Sequence, residues 1–175
     1  MYTQKLHNSP LGEITIAADD MGIVGLWLPG QPAAKLSKRD ESDTLQALEH
    51  LKEASEWLDR YFAGEKPDPE TLKLNPQGTE FQRQVWSILM EIPYGETASY
   101  GEIADEVARV RGKERMSSRA VGAANGHNPI SIIVPCHRVI GSNNHLTGYG
   151  GGLPLKRWLL EHEGLKIVNY RIVVP

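Results

Sequence analysis

Reactive side chains concentrate in Ile133-Val134-Pro135-Cys136-His137-Arg138-Val139-Ile140, which holds the only cysteine among 175 residues. A thiol attacks as its thiolate, and a free cysteine titrates near about pH 8.5. Cationic or hydrogen-bonding neighbours lower that value, and His137 and Arg138 are the immediate candidates in the chain. Pro135 removes a backbone donor and stiffens the entry to the tripeptide. β-Branched residues flank it on both sides, so the stretch reads as a short buried strand interrupted by a reactive tripeptide. A lone cysteine is most often just a small buried hydrophobe. The run Pro-Cys-His-Arg, rather than the cysteine alone, carries the chemical reading.

The elements that must position this tripeptide can be read from periodicity and punctuation. Tyr2–His7, Glu13–Ala18 and Ile23–Leu28 alternate like strands of a β-meander, with turn chemistry at Pro10-Leu11-Gly12 and at 19–22. Residues 29–43 read as a loop. An amphipathic helix is expected from Ser42, its N-cap, to a stop at Gly64, with Leu45, Leu48, Leu51, Ala54, Leu58 and Tyr61 on its apolar side. Residues 64–78 are proline-rich and form the natural boundary between a domain over 1–78 and one over 79–175. Thr79 caps a helix to about Glu91, with Phe81, Val85, Trp86, Leu89 and Met90 inward. Helices from about Ser99 to Val107 and from about Ser117 to Gly126 follow, and their compact pairing reads as a helix-turn-helix. A last helix spans Pro154 to His162, and the apolar tail 165–174 packs as a strand or covers the core.

The second helix of that pair begins Ser117-Ser118-Arg119-Ala120-Val121-Gly122 and has little bulk. Small residues suit close packing against a neighbouring helix. They equally suit insertion into a DNA minor groove, about 6 Å wide. Arg119 is its one long side chain.

Composition narrows the function classes. The net charge of −3 argues against indiscriminate coating of nucleic acid. Yet residues 1–78 carry 8 Lys/Arg against 13 Asp/Glu, whereas residues 79–175 carry 11 against 9. Arg109, Arg111, Lys113, Arg115 and Arg119 form the sharpest basic cluster, opposed only by Glu114. It is either a solvated loop or a set of phosphate contacts. A single cysteine excludes an internal disulfide and a cysteine-based structural zinc site, and points to a reduced, cytoplasmic setting. No long apolar run opens the chain, so neither a signal peptide nor a membrane span is expected.

Several blocks resemble the O6-alkylguanine-DNA alkyltransferase family at matching spacing. They are Ile92-Pro93-Tyr94-Gly95-Glu96 with Ser99-Tyr100, Ser118-Arg119-Ala120-Val121-Gly122, Asn128-Pro129, Ile133–Ile140, and Gly148-Tyr149 through Glu163-Gly164. They cover most of 79–165, while 1–78 match only loosely. The resemblance implies an α/β (α+β) fold: a small, ribonuclease H-like N-terminal β-meander and helix, then a winged helix-turn-helix domain carrying the reactive cysteine. It implies stoichiometric, irreversible transfer of an alkyl group from guanine O6, and from thymine O4, to Cys136. A relay would run from the thiol through water to His137 and on to Glu163. Tyr100 would protonate the departing base, and Asn128 would brace the site. Arg119 would fill the gap left by the extruded nucleotide, with Ser117, Ser118, Ala120 and Gly122 along the duplex. Pro135, Val139, Tyr149, Gly150 and Gly151 would line the base pocket. No cofactor, metal, membrane or obligate protein partner is implied; the partner is double-stranded DNA bound through its minor groove. Gly150 stands where some relatives have serine, so only its backbone amide serves there. The N-terminal cysteines that bind zinc in some relatives are missing.

Taken alone, Glu163 is most often a solvated helix-end carboxylate, and Tyr100 most often a core residue. A zinc nucleobase deaminase would need Pro-Cys-x-x-Cys and an upstream His-x-Glu, and neither is present. His127, His145 and His162 sit in no protease-like context. The remaining alternative is a non-enzymatic lesion-recognition protein, which in this family carries tryptophan where this chain has Cys136.

Overall fold

Aspartate and glycine set the first two turns of the chain. The computed structural model describes residues 3–32 and 44–175. Within them β1 (Thr3–Ser9), β2 (Gly12–Asp19) and β3 (Gly22–Trp27) form an antiparallel meander in the order β1-β2-β3. The Asp19 carboxylate accepts from the amides of Met21 and Gly22 at 2.9 and 3.0 Å, closing the second turn. Gly22 lies at φ +154, where an added Cβ would stand 2.5 Å from the Lys73 carbonyl oxygen. Every residue of β3 is buried.

Against this sheet packs α1 (Leu45–Phe62), capped by Thr44, whose hydroxyl accepts from the Ala47 amide. The expected cap Ser42 and strand residue Tyr2 lie outside the described residues. The expected apolar face needs correction at its start: Leu45 is 88% and Leu48 42% exposed. The inward face is Ala47, His50, Leu51, Ala54, Ser55, Trp57, Leu58 and Tyr61. Position in the helical period decided this, because Trp57, stacked on Tyr61 with centroids 5.5 Å apart, sets the stripe.

The chain divides into two compact units, Met1–Gln77 with Pro129–Ser131, and Gly78–Asn128 with Ile132–Pro175. In the second, α2 (Glu80–Leu89), α3 (Tyr100–Val110) and α4 (Ser118–Gly126) pack on one another. Both α2 and α3 open with a full capping box, Thr79 with Gln82 and Ser99 with Glu102. The Trp86 indole donates to the Ala124 carbonyl at 2.8 Å, tying α2 to α4. α5 (Leu153–His162) completes the helices, and among the described residues none is long and apolar enough to cross a membrane.

The reactive stretch is buried throughout and interrupted at the tripeptide as expected, but only the residues after the tripeptide form strand. Residues 131–134 turn, Cys136–Arg138 form a single 3-10 turn, and only Val139–Ile140 pair in parallel with Ala98–Ser99. These are β5 and β4. Ile132 has φ +69, and Pro135 at φ −82, ψ 62 lets the Cys136 amide reach the Val134 carbonyl at 2.8 Å. That is an inverse γ-turn, a backbone reversal incompatible with extension. The tail forms a hairpin of β6 (Ile167–Val168) and β7 (Arg171–Ile172), turning at Asn169 and Tyr170 with both φ positive.

The α2 cap offers a test of this architecture. Thr79→Ala should cost about 1 kcal/mol, read as a lower denaturant midpoint, and Thr79→Ser should restore most of it. Equal midpoints for all three proteins would remove the cap from the list of stabilising contacts.

Candidate active site

Cys136 is free, 5% exposed, and sits at the start of the 3-10 turn. Two asparagines, one in the last turn of α4 and one just beyond it, hold that turn. Asn125 donates to the Cys136 carbonyl at 3.5 Å, and Asn128 donates to the Val134 carbonyl at 2.8 Å. Burial pushes the thiol above its ordinary value. Hydrogen bonding from Asn128, the charge of Lys156, the backbone and Tyr149 pull it back in part.

The two residues after the cysteine turn away from it toward one carboxylate. His137 Nε2 lies 2.5 Å from Glu163 Oε2, and Arg138 Nε donates to Glu163 Oε1 at 2.7 Å. Gly95 donates its amide to the same Oε1 at 3.1 Å. Arg138 also donates to the Ile92 carbonyl at 2.7 Å and lies over the Tyr94 ring, 5.7 Å from its centroid. Glu163 is buried, which by itself would raise its pKa, but His137 and Arg138 outweigh that and hold it well below the carboxylate range. His137 moves the other way from a cation: burial lowers it, against the pull of Glu163. An ionised carboxylate beside a neutral imidazole requires the proton on Nε2. Nδ1 is then an acceptor, and it has no hydrogen-bond partner among the described residues.

The expectation that His137 and Arg138 supply the charge at the sulfur is therefore corrected. The cation acting on Cys136 is Lys156 of α5, whose side chain is wholly buried. Its ammonium donates to the carbonyls of Val139, Thr147 and Gly148 at 2.5, 2.9 and 3.4 Å. Burial pulls it down to about 8, against the opposing pull of Cys136. The sequence held one signal of this. Lys156 precedes Leu159 and Leu160 by three and four residues, so it falls in phase with the buried face of α5.

Tyr100, the first residue of α3, donates its hydroxyl to the Thr147 carbonyl at 3.4 Å. Burial, eased by that bond and reinforced by Cys136, raises its pKa, so it keeps its proton at neutral pH. A Cβ on Gly122 of α4 would stand 3.7 Å from the Tyr100 ring, which brings α4 against the tyrosine. Tyr149 is half-buried beside the thiol, Gly150 is exposed, and Gly151 leads to Gly152, the φ +91 start of α5. Pro135 and Val139 flank the turn. Thus Cys136, His137, Glu163, Asn128, Tyr149 and Tyr100 gather around one buried turn. Arg119, Ser117 and Ser118 lie instead on the exposed start of α4, with Ala120 and Gly122 half-buried behind them. Ser117 caps the helix by accepting from the Ala120 amide.

Two family models match the chain. Residues 80–165 match the 6-O-methylguanine DNA methyltransferase DNA binding domain, and residues 1–76 match the ribonuclease-like domain of the same methyltransferase. A methylated-DNA–protein-cysteine methyltransferase of Mycobacterium bovis is 56% identical over 159 residues, 89% of this chain and 88% of the relative. One of the same name from Methanosarcina acetivorans is 46% identical over 160 residues, covering 91% and 96%. The crystal structure of Mycobacterium tuberculosis OGT in complex with DNA superposes with a TM-score of 0.73 at 44% identity, covering 93% of this chain and 91% of that one.

The lysine has a titration of its own to betray. Below about pH 8 Lys156 carries its charge and favours the thiolate, so Lys156→Met should move the Cys136 midpoint upward by about a unit or more. Thiolate absorbance in the ultraviolet reads it directly. An unmoved midpoint would mean that the ammonium only ties the loop carbonyls.

Proposed function

The chain belongs to the 6-O-methylguanine DNA methyltransferase family, and on that premise we propose that it reverses alkylation of DNA by taking the alkyl group onto its own Cys136. The observation that carries this reading is the buried cysteine turn backed by the Glu163–His137 pair. Thiol chemistry in a lesion-recognition protein with tryptophan at this position would be impossible, and Cys136 favours transfer over recognition alone.

The geometry supports a sequence of steps. His137 Nδ1, left as an acceptor, takes the thiol proton through a water, while Glu163 stabilises the imidazolium that forms. The sulfur attacks the alkyl carbon on guanine O6. A carbon–sulfur bond forms as the carbon–oxygen bond breaks, and the electron pair leaves with the base. Tyr100, still protonated, supplies the proton that makes the departing guanine neutral. The thioether has no hydrolytic exit, so each molecule reacts once. O4-alkylthymine offers the same kind of carbon and is a second substrate in this reading.

DNA binding follows from the family and from the DNA complex of the mycobacterial relative. We assign it to residues 79–175, with residues 1–78 as a support domain. The exposed, small-residue start of α4 suits the minor groove, with Ser117, Ser118, Ala120 and Gly122 near the backbone. Arg119 makes no hydrogen bond or ion pair among the described residues, so it is free to occupy the space of an extruded nucleotide. Extrusion costs about a few kcal/mol in lost stacking, and a side chain in the vacancy slows collapse. Pro135, Val139, Tyr149, Gly150 and Gly151 line the pocket. The compartment in this reading is the cytoplasm, where the thiol stays reduced.

Excess methylated duplex should release a burst of repair equal to the protein present, with one added alkyl group on the Cys136 peptide by mass. Sustained turnover would overturn the mechanism.

Extrusion and chemistry separate by substrate. Arg119→Ala should slow repair of duplex DNA by about tenfold or more, yet react with free O6-benzylguanine at close to the parent rate. Tyr100→Phe should slow both, on the order of a hundredfold. Equal slowing of both substrates by Arg119→Ala would place Arg119 in the active-site architecture and end its role as a finger.

A further inference from the structure

The motif residues Ile92, Tyr94, Gly95 and Arg138 have no task in the relay just described, yet Gly95 and Arg138 bond to Glu163, and Ile92 and Tyr94 hold Arg138 there. Its two oxygens are divided. Oε2 faces His137, whereas Oε1 receives Arg138 and the Gly95 amide. Arg138 is itself fixed at a second point by the Ile92 carbonyl, with the Tyr94 ring beneath its guanidinium. We propose that Arg138 is a positioning residue that keeps His137 a neutral base, by serving as the permanent countercharge of Glu163. This rests on the relay reading of His137.

The argument is one of charge in a buried place. An ionised carboxylate taken out of water needs a partner cation. Two neighbours could serve, and an arginine cannot give up its proton. With Arg138 present the pair is already neutral, so a proton added to His137 would leave an excess positive charge in the interior. Lys156 makes that worse, since it and Arg138 both act against protonation of His137. The groups facing the imidazole are therefore Glu163 in favour of its cation, and Arg138 and Lys156 against it, with Cys136 adjacent in the chain. Tyr94, near Glu163 and Arg138, keeps its hydroxyl proton because burial and Glu163 raise its pKa. Remove Arg138, and Glu163 recovers a countercharge by protonating His137. Nδ1 then becomes a donor and cannot accept from the thiol. The second anchor to Ile92 matters because it stops the guanidinium from following the carboxylate away from the ring.

The nitrogen chemical shifts of His137 in the intact protein test this without reference to activity. In the parent at neutral pH they should show a neutral ring protonated at Nε2 and bare at Nδ1. In Arg138→Met the His137 titration should rise by about one pH unit or more, and the acid limb of the reaction with free O6-benzylguanine should rise with it. Arg138→Lys, which keeps the charge but loses the fork, should retain a neutral ring. An imidazolium at neutral pH in the parent would overturn the proposal, and this reading holds even if the methionine variant does not fold. An unmoved His137 titration in a folded Arg138→Met would overturn it too. A raised titration with an unaltered rate profile would uphold the charge role of Arg138 and instead defeat the relay.

Discussion

A single buried carboxylate, Glu163, is the constraint on which the second unit depends. It sits at the C-terminal cap of α5 and collects a histidine, an arginine and a backbone amide from two other stretches of chain. Leaving such a charge with fewer partners costs several kcal/mol, so each of these stretches must reach it. The loop after α2 is held through Ile92 and Gly95, and the reactive turn through His137 and Arg138. Tyr94 adds a hydrogen bond to the His162 carbonyl at 3.3 Å. The thiol is placed as a consequence, because the two residues that follow it are pinned.

The same economy governs the second buried charge. Lys156 satisfies its ammonium with three carbonyls, one from β5 and two from the loop that carries Tyr149. That fixes the wall of the site and leaves its charge acting on the sulfur. Burial of Cys136 disfavours the thiolate, while Lys156, Asn128 and Tyr149 favour it. The resting thiol is therefore neutral but held where the charge of Lys156 bears on it. A thiol kept neutral at rest is shielded from oxidation and adventitious reaction.

The helices translate this local chemistry into a surface. Asn125 in the last turn of α4 and Asn128 just beyond it grip the reactive turn, and the helix begins in an exposed run that includes Arg119. Tyr100 starts α3 against Gly122 and reaches the Tyr149 loop through Thr147. The small residues of α4 thus meet the close-packing reading that the sequence offered. Gly122 permits a close internal approach, while the first turn stays low and accessible.

What the sequence determined by itself was local. Alternation and turn residues place the three-stranded meander, since Asp19 and Gly22 act within a few residues of themselves. The capping boxes at Thr79 and Ser99 mark helix starts because a cap needs only its own first turn. The chemical identity of the site was legible because Pro-Cys-His-Arg is contiguous and its companions keep a fixed spacing. Tertiary structure decided what depends on distant partners. β-Branched residues on both sides of Cys136 suggested strand; Val139–Ile140 do pair as one, but the positive φ of Ile132 and the γ-turn at Pro135 turn the chain before the cysteine. The return of Pro129–Ser131 to the first unit has no local signature, because its bridge to Leu26 spans about a hundred residues of chain. Arg138 lies two residues after the cysteine yet points at Glu163, and Lys156, twenty residues after the cysteine, supplies the charge instead. Electrostatic partnership is set by which groups share a dry interior, and that is a property of packing rather than of order along the chain.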